Sequence, residues 1–125
     1  MLSGLPEASQ GLQIDLFMLP NPVREKGSRA YFPFVVLMVD KFSGMVVSSS
    51  MLPPQPDLHS MHESLPQKVM EELVRLGHRP SKIWIRSDLL EELLHEILEK
   101  AGCPVQWVIE MPEMDEVIGN LLSNI

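Results

Sequence analysis

The chain has 125 residues, 45% of them hydrophobic, which favours one globular domain with its own apolar core. Its formal net charge is −7, and from residue 61 onward six basic residues face twelve acidic ones. Nucleic-acid binding draws much of its affinity from basic patches that neutralise phosphates. Because the sequence has no such patch, its composition disfavours a nucleic-acid partner.

The cysteine and hydropathy patterns predict a cytoplasmic protein. Cys103 is the single cysteine, so an internal disulfide and a four-cysteine zinc site are both excluded. The longest apolar run, Phe32 to Val39, is far shorter than the ~20 residues that a bilayer requires. The first ten residues lack the pattern of a signal peptide, so we expect neither secretion nor a membrane span.

The first half of the chain predicts three strands. Residues 1–10 have little periodicity and are predicted to be a flexible lead-in, which leaves residues 11–125 as a single α/β domain. Leu12 to Leu19 alternates as a strand does. Tyr31 to Val39 and Met45 to Met51 are rich in β-branched residues, and the glycine-containing turn between them predicts a hairpin.

A helix is predicted after a proline-rich loop that includes residues 57–63. Ser64-Leu65-Pro66-Gln67 has the form of a capping box with proline early in the first turn, so the helix is expected to begin there. Gly77 is a natural stop for it.

The second half alternates strands with helices. Lys82 to Arg86 is predicted to be a strand that passes directly into a leucine-rich helix, with Asp88 as its N-cap. Pro104 to Ile109 predicts the last strand, and Pro112 opens the last helix. The predicted order is β-β-β-α-β-α-β-α, which indicates a mixed five-stranded sheet whose later strands are parallel neighbours.

Acidic residues occur where an α/β metal site could form. Asp15 lies in the first strand, Asp88 follows the fourth, and Asp115 and Glu116 lie in the first turn of the last helix. Converging carboxylates can hold Mg²⁺ or Mn²⁺ for phosphodiester chemistry. The same residues also have plain structural roles, as a strand polar residue, a helix cap and partners of a helix dipole, and this interpretation is favoured.

Three segments resemble the ribonuclease H-like superfamily, and more narrowly the retroviral-type integrase and transposase core. They are Gln13-Ile14-Asp15, Val39 to Gly44, and Pro80 to Asp88. The resemblance implies a ribonuclease H-like topology and a metal-binding catalytic set. The family pattern continues with Asn-Gly where this chain has Leu89-Leu90, and the basic surface for DNA is missing. These departures favour a protein that keeps the scaffold of the superfamily and has lost its catalytic activity.

In this resemblance the metal-binding catalytic residues would be Asp15, Asp88 and Glu116, with Mg²⁺ or Mn²⁺ as the cofactor. The chain also resembles a family of uncharacterised bacterial domains of about this size. Tyr31 to Gly44, His78 to Asp88 and Gly102 to Ile118 fit that family's pattern. The resemblance to this second family implies no activity and supports only the predicted fold.

Three hypotheses on function follow. The first is a non-catalytic binding or interaction module that binds an unknown protein or self-associates as a dimer through an edge strand, Met45 to Met51. The alternative is a divergent metal-dependent ribonuclease H-like nuclease or nucleotidyl-transfer enzyme that uses the three acids. A third is a small-molecule pocket in which Arg86 holds an anion and Ser87 orients it.

Overall fold

A five-stranded mixed sheet forms the centre of the computed structural model, which describes residues 4, 11–24, 27, 29–55 and 57–123. The predicted lead-in, residues 1–10, lies outside the described residues except for Gly4. The elements are β1 (Gly11–Met18), β2 (Phe34–Asp40), β3 (Val46–Leu52), α1 (Leu58–Leu76), β4 (Lys82–Ile85), α2 (Asp88–Lys100), β5 (Val105–Trp107) and α3 (Pro112–Ser123).

The strand order in the sheet is β3-β2-β1-β4-β5. β1 pairs with β2 and β2 with β3 in antiparallel register, whereas β1 with β4 and β4 with β5 are parallel. In each parallel pair the chain passes through a helix on its way from one strand to the other, as parallel pairing requires. The predicted order of elements and the mixed five-stranded sheet are confirmed.

Helices cover both faces of the sheet. Alternate residues of a strand point to opposite faces, so each central strand supplies side chains to two cores. Leu12 and Ile14 of β1 pack with α1 and α2 in the larger core. The smaller core lies under α3, and its buried members are Val35, Leu37, Val39, Met111 and Met114. The result is three layers, with β1 central in the middle layer.

The prediction for the start of α1 was wrong. Asp57 is the N-cap, because its carboxylate accepts the Ser60 amide hydrogen at 2.8 Å. That bond holds the pKa of Asp57 below its usual value. Residues 58–63, predicted as loop, are therefore helical. Ser64 lies inside the helix and donates to a carbonyl three residues earlier, and Pro66 is accommodated there with the loss of one main-chain hydrogen bond.

The N-cap of α2 also differs from the prediction by one residue. The Ser87 hydroxyl accepts the Leu90 amide hydrogen at 3.3 Å, so Ser87 is the cap and Asp88 is the first helical residue. β4 ends at Ile85, one residue earlier than expected, which leaves Arg86 between strand and helix. Within the described residues no helix is both long and apolar enough to cross a membrane.

Candidate functional site

The site lies beneath α3, where the end of β4 adjoins Asp15 in the middle of β1. The parallel register aligns Gln13 of β1 with Trp84 of β4. Two residues further along each chain, on the same face, come Asp15 and Arg86. Both strands run in the same direction, so these two side chains reach the same end of the sheet, the carboxyl edge at which ligands of α/β proteins gather.

Arg86 forms a two-sided ion pair between a strand and a helix. Its Nε and Nη2 donate to Asp15 Oδ2 at 3.1 and 2.8 Å, and its Nη1 lies 2.6 Å from Asp115 Oδ1. The Arg86 side chain is 23% exposed and that of Asp15 is 10% exposed, whereas that of Asp115 is 58% exposed. The guanidinium therefore lies between the buried carboxylate of Asp15 and the solvated carboxylate of Asp115.

The electrostatics of Arg86 favour its charged form. Burial acts to lower the pKa of Arg86, but the hydrogen bonds to Asp115 and Asp15 outweigh it and raise the pKa above its ordinary value. The second oxygen of the Asp15 carboxylate accepts the Leu16 amide hydrogen at 3.0 Å. Both oxygens of this nearly buried carboxylate thus have donors within the chain.

Gln13 fixes the helix that carries Asp115. Its side chain is almost fully buried, and its Oε1 accepts the Met114 amide hydrogen at 2.9 Å. Its Nε2 donates to Glu113 Oε1 at 2.7 Å. A hydrogen bond from the Glu113 backbone, followed by the one from Gln13, holds the pKa of Glu113 below its usual value. One buried amide therefore anchors the first turn of α3 to β1.

The structure brings together a different set of residues from the one that the sequence predicted. Asp15 meets Arg86 and, through it, Asp115. Asp88 begins α2, and Glu116 is exposed on α3. The acid of the last helix that joins the cluster is thus Asp115 and not Glu116.

Asp115 could have been recognised from helix periodicity. It lies four residues after Met111, which is buried, and its amide hydrogen bonds to the Met111 carbonyl at 2.9 Å. Residues four apart share a helix face, so Asp115 is directed toward the sheet, while Glu116 is turned away from it. The sequence predicts that Arg86 holds an anion, and in the structure the anions that it holds are side chains of the same chain. Ser87, the other predicted pocket residue, uses its hydroxyl as the α2 cap.

These side chains, as arranged, do not fit a divalent metal ion. No group of three or more His, Cys, Asp or Glu residues in the described part of the chain is placed to hold one. Mg²⁺ and Mn²⁺ bind oxygen ligands, and the oxygens of Asp15 are engaged by N–H donors, two of them from a cationic side chain. The metal-binding set of Asp15, Asp88 and Glu116 stays a prediction.

A comparison with family models matches residues 2–122 to a family described as "Domain of unknown function (DUF6930)". The chain belongs to this family. A search among curated proteins finds no match.

Solved structures that resemble this DUF6930 domain include retroviral integrase catalytic cores, which have the ribonuclease H-like fold. The catalytic core domain of BIV integrase has a TM-score of 0.58 and 11% identity, over 90% of this chain and 64% of that chain. The HTLV-2 integrase core in complex with magnesium has a TM-score of 0.57 and 19% identity, over 97% and 72%. An intasome of simian T-cell lymphotropic virus in complex with PP2A regulatory subunit B56 gamma gives 0.59 and 15%, over 94% and 41%.

The likeness establishes the fold alone, because the identities are below one fifth. The chain spans less than two thirds of the BIV integrase chain and less than half of the chain in the intasome. The predicted ribonuclease H-like topology is confirmed, as is the resemblance to an uncharacterised family.

Proposed function

We propose that this DUF6930 domain is a non-catalytic binding module that keeps a ribonuclease H-like scaffold. The observation that carries the proposal is the position of Arg86 between Asp15 and Asp115. The resemblance to integrase cores implies that an acid of the first strand and an acid of a late helix share metal ions. In this chain the guanidinium of Arg86 pairs with Asp15 of the first strand and Asp115 of the last helix. The positive charge of Arg86 therefore balances the two carboxylates in place of metal ions.

The binding surface in this proposal is β3. It is an edge strand of seven residues, and no charged side chain lies within it. No described strand pairs with its outer side, so its main-chain groups there are open to another extended segment. A partner protein or a second copy of the chain could pair with it. We place the module in the cytoplasm, in keeping with a lone, buried thiol at Cys103.

The second candidate is a divergent metal-dependent nuclease or nucleotidyl-transfer enzyme. It is favoured by the fold shared with integrase catalytic cores, one of which was solved in complex with magnesium. Asp15, Asp88 and Glu116 would then bind Mg²⁺ or Mn²⁺, and Arg86 would first have to leave Asp15. The expectation that nucleic acid is no partner rests on the charge of the chain, and the integrase neighbours give it no support.

A cleavage assay separates the two candidates. The full chain is incubated with labelled single-stranded DNA, duplex DNA and RNA in the presence of Mg²⁺ or Mn²⁺, beside the Asp88→Asn variant. We expect no cleavage by the wild type above the level of the variant, because in the non-catalytic proposal the Asp15 carboxylate stays paired with Arg86 and does not bind an ion. Mn²⁺-dependent cleavage that Asp88→Asn abolishes would reject the non-catalytic proposal and support the nuclease.

A further inference from the structure

A cavity of about 340 Å³ lies between β3 and α1, away from Asp15 and Arg86. Val47, Ser48 and Ser49 line it from the strand, and Glu72, Arg75 and Leu76 line it from the helix. The pairing of β3 with β2 shifts between Val46 and Ser48, and Val47 packs against the larger core on the α1 side of the sheet. The cavity therefore lies between α1 and β3, the edge strand of the sheet.

Glu72 is a buried carboxylate with one unsatisfied oxygen. The residue is 6% exposed, and its Oε1 accepts hydrogen bonds from the hydroxyls of Ser50 at 2.8 Å and Ser48 at 3.2 Å. Its Oε2 is buried and accepts no hydrogen bond. A buried acceptor without a donor is destabilising, and more so when it is charged, so a donor that reached this oxygen would be stabilising.

The charge on Glu72 is retained in spite of its burial. Burial acts to raise the pKa of Glu72, but the hydrogen bonds from Ser50 and Ser48 and the charges of Arg75 and Lys68 outweigh it, so that the pKa lies below its usual value. The group that lines the cavity is thus an anion at neutral pH. The chemistry that complements it is an ammonium or guanidinium group.

Arg75 supplies that charge only in part. Its Nε lies 3.4 Å from Glu72 Oε2, within ion-pair distance but without hydrogen-bond geometry, and its side chain is 76% exposed. An ion pair with so exposed a partner contributes little stability. The Arg75 side chain can therefore move into solvent at a small cost in free energy, and another cation can then pair with Glu72.

We propose that β3 and this cavity bind an extended peptide segment that carries a lysine or arginine side chain. The peptide pairs with the open edge of β3 through its main chain, and its cationic side chain enters the cavity and donates to Glu72 Oε2. Two independent features meet here, an unpaired seven-residue strand and a buried anion that lacks a donor. The net charge of −7 favours the approach of a basic partner.

This inference rests on the proposed binding function and names the class of partner. The probe is a fluorescein-labelled seven-residue peptide of alternating threonine and valine with lysine at its centre. The control peptide has norleucine in place of the lysine. Fluorescence anisotropy with the full chain gives the two dissociation constants, and amide NMR shifts locate the bound peptide.

We expect the lysine peptide to bind about tenfold more tightly than the norleucine peptide, with the largest shifts in β3 and the second half of α1. The variant Glu72→Gln keeps an acceptor for the two serines and should bind both peptides equally. Arg75→Ala should bind the lysine peptide as tightly as the wild type or more tightly, because it removes the internal competitor. Circular dichroism checks that both variants are folded.

The inference is overturned if the two peptides bind the wild type equally, or if the shifts lie outside β3 and α1. It is also overturned if sedimentation shows a stable dimer whose contact buries β3, since a second copy would then be the occupant of this edge. The outcome is independent of the cleavage assay, because Glu72 and Asp15 lie on different elements and no variant here touches the Asp15 cluster.

Discussion

Arg86→Met is expected to lower the free energy of unfolding by about 2–4 kcal/mol. The change leaves Asp15 nearly buried and charged, with the Leu16 amide as its remaining donor. Breaking a fully buried pair costs ~3–5 kcal/mol. We expect a lower range because Arg86 itself keeps some contact with solvent and Asp115 is mostly solvated. Urea denaturation followed by tryptophan fluorescence measures the change.

The matched control is Lys100→Met, which removes an exposed cation that pairs with Glu96 on the surface of α2. It should leave the denaturation midpoint almost unchanged. The double variant Asp15→Leu with Arg86→Met should be more stable than Arg86→Met alone, because it removes the uncompensated charge as well. If Arg86→Met were as stable as the control, the ion pair would not be a structural feature of the domain.

Gln13→Leu is expected to cost about 1–3 kcal/mol, because the buried Met114 amide hydrogen loses its acceptor. It should also loosen the first turn of α3, since the bond to Glu113 is lost at the same time. Hydrogen exchange measures this directly, and we expect faster exchange in α3 while the central strands stay protected.

Gln67→Leu is the control for this change, because Gln67 is exposed on α1 and its side chain bonds to Glu71 one turn later. It should alter neither the denaturation midpoint nor the exchange in α3. Uniform loss of protection in Gln13→Leu, in the sheet as well as in α3, would contradict the view that Gln13 acts as a local anchor.

The fold could be predicted from sequence because its signals are local and repeated. The alternation in β1 and the helix that begins after Ser87 each follow from side-chain periodicity. The start of α1 could not be found in the same way. Two sets of cap signals compete there, Asp57 and the Ser64 box, and the residues between them carry no clear stripe. The full helix buries Met61, which lies before the predicted start. Tertiary packing, and not the local cap signals, therefore determines where α1 begins.

The candidate site was harder to predict because it depends on contacts between distant parts of the chain. Asp15 and Arg86 were each singled out from their strands, but that they pair depends on β1 and β4 being neighbours in the sheet. The sequence order does not fix that adjacency, since β4 could also have joined the sheet beside β3. The choice of Asp115 over Glu116 was the part of the site open to prediction, because Asp115 follows the buried Met111 by four residues.

In the function proposed above, Arg86 and not a metal ion balances the acids of the site. The most direct test of this claim is a titration of the ¹⁵N-labelled full chain with Mn²⁺, in which paramagnetic broadening of amide signals locates any bound ion. We expect no selective broadening at Asp15, Arg86 or Asp115 in the wild type. Selective broadening of these amides at stoichiometric Mn²⁺, lost in Asp15→Asn, would contradict the claim and place a metal ion in the site.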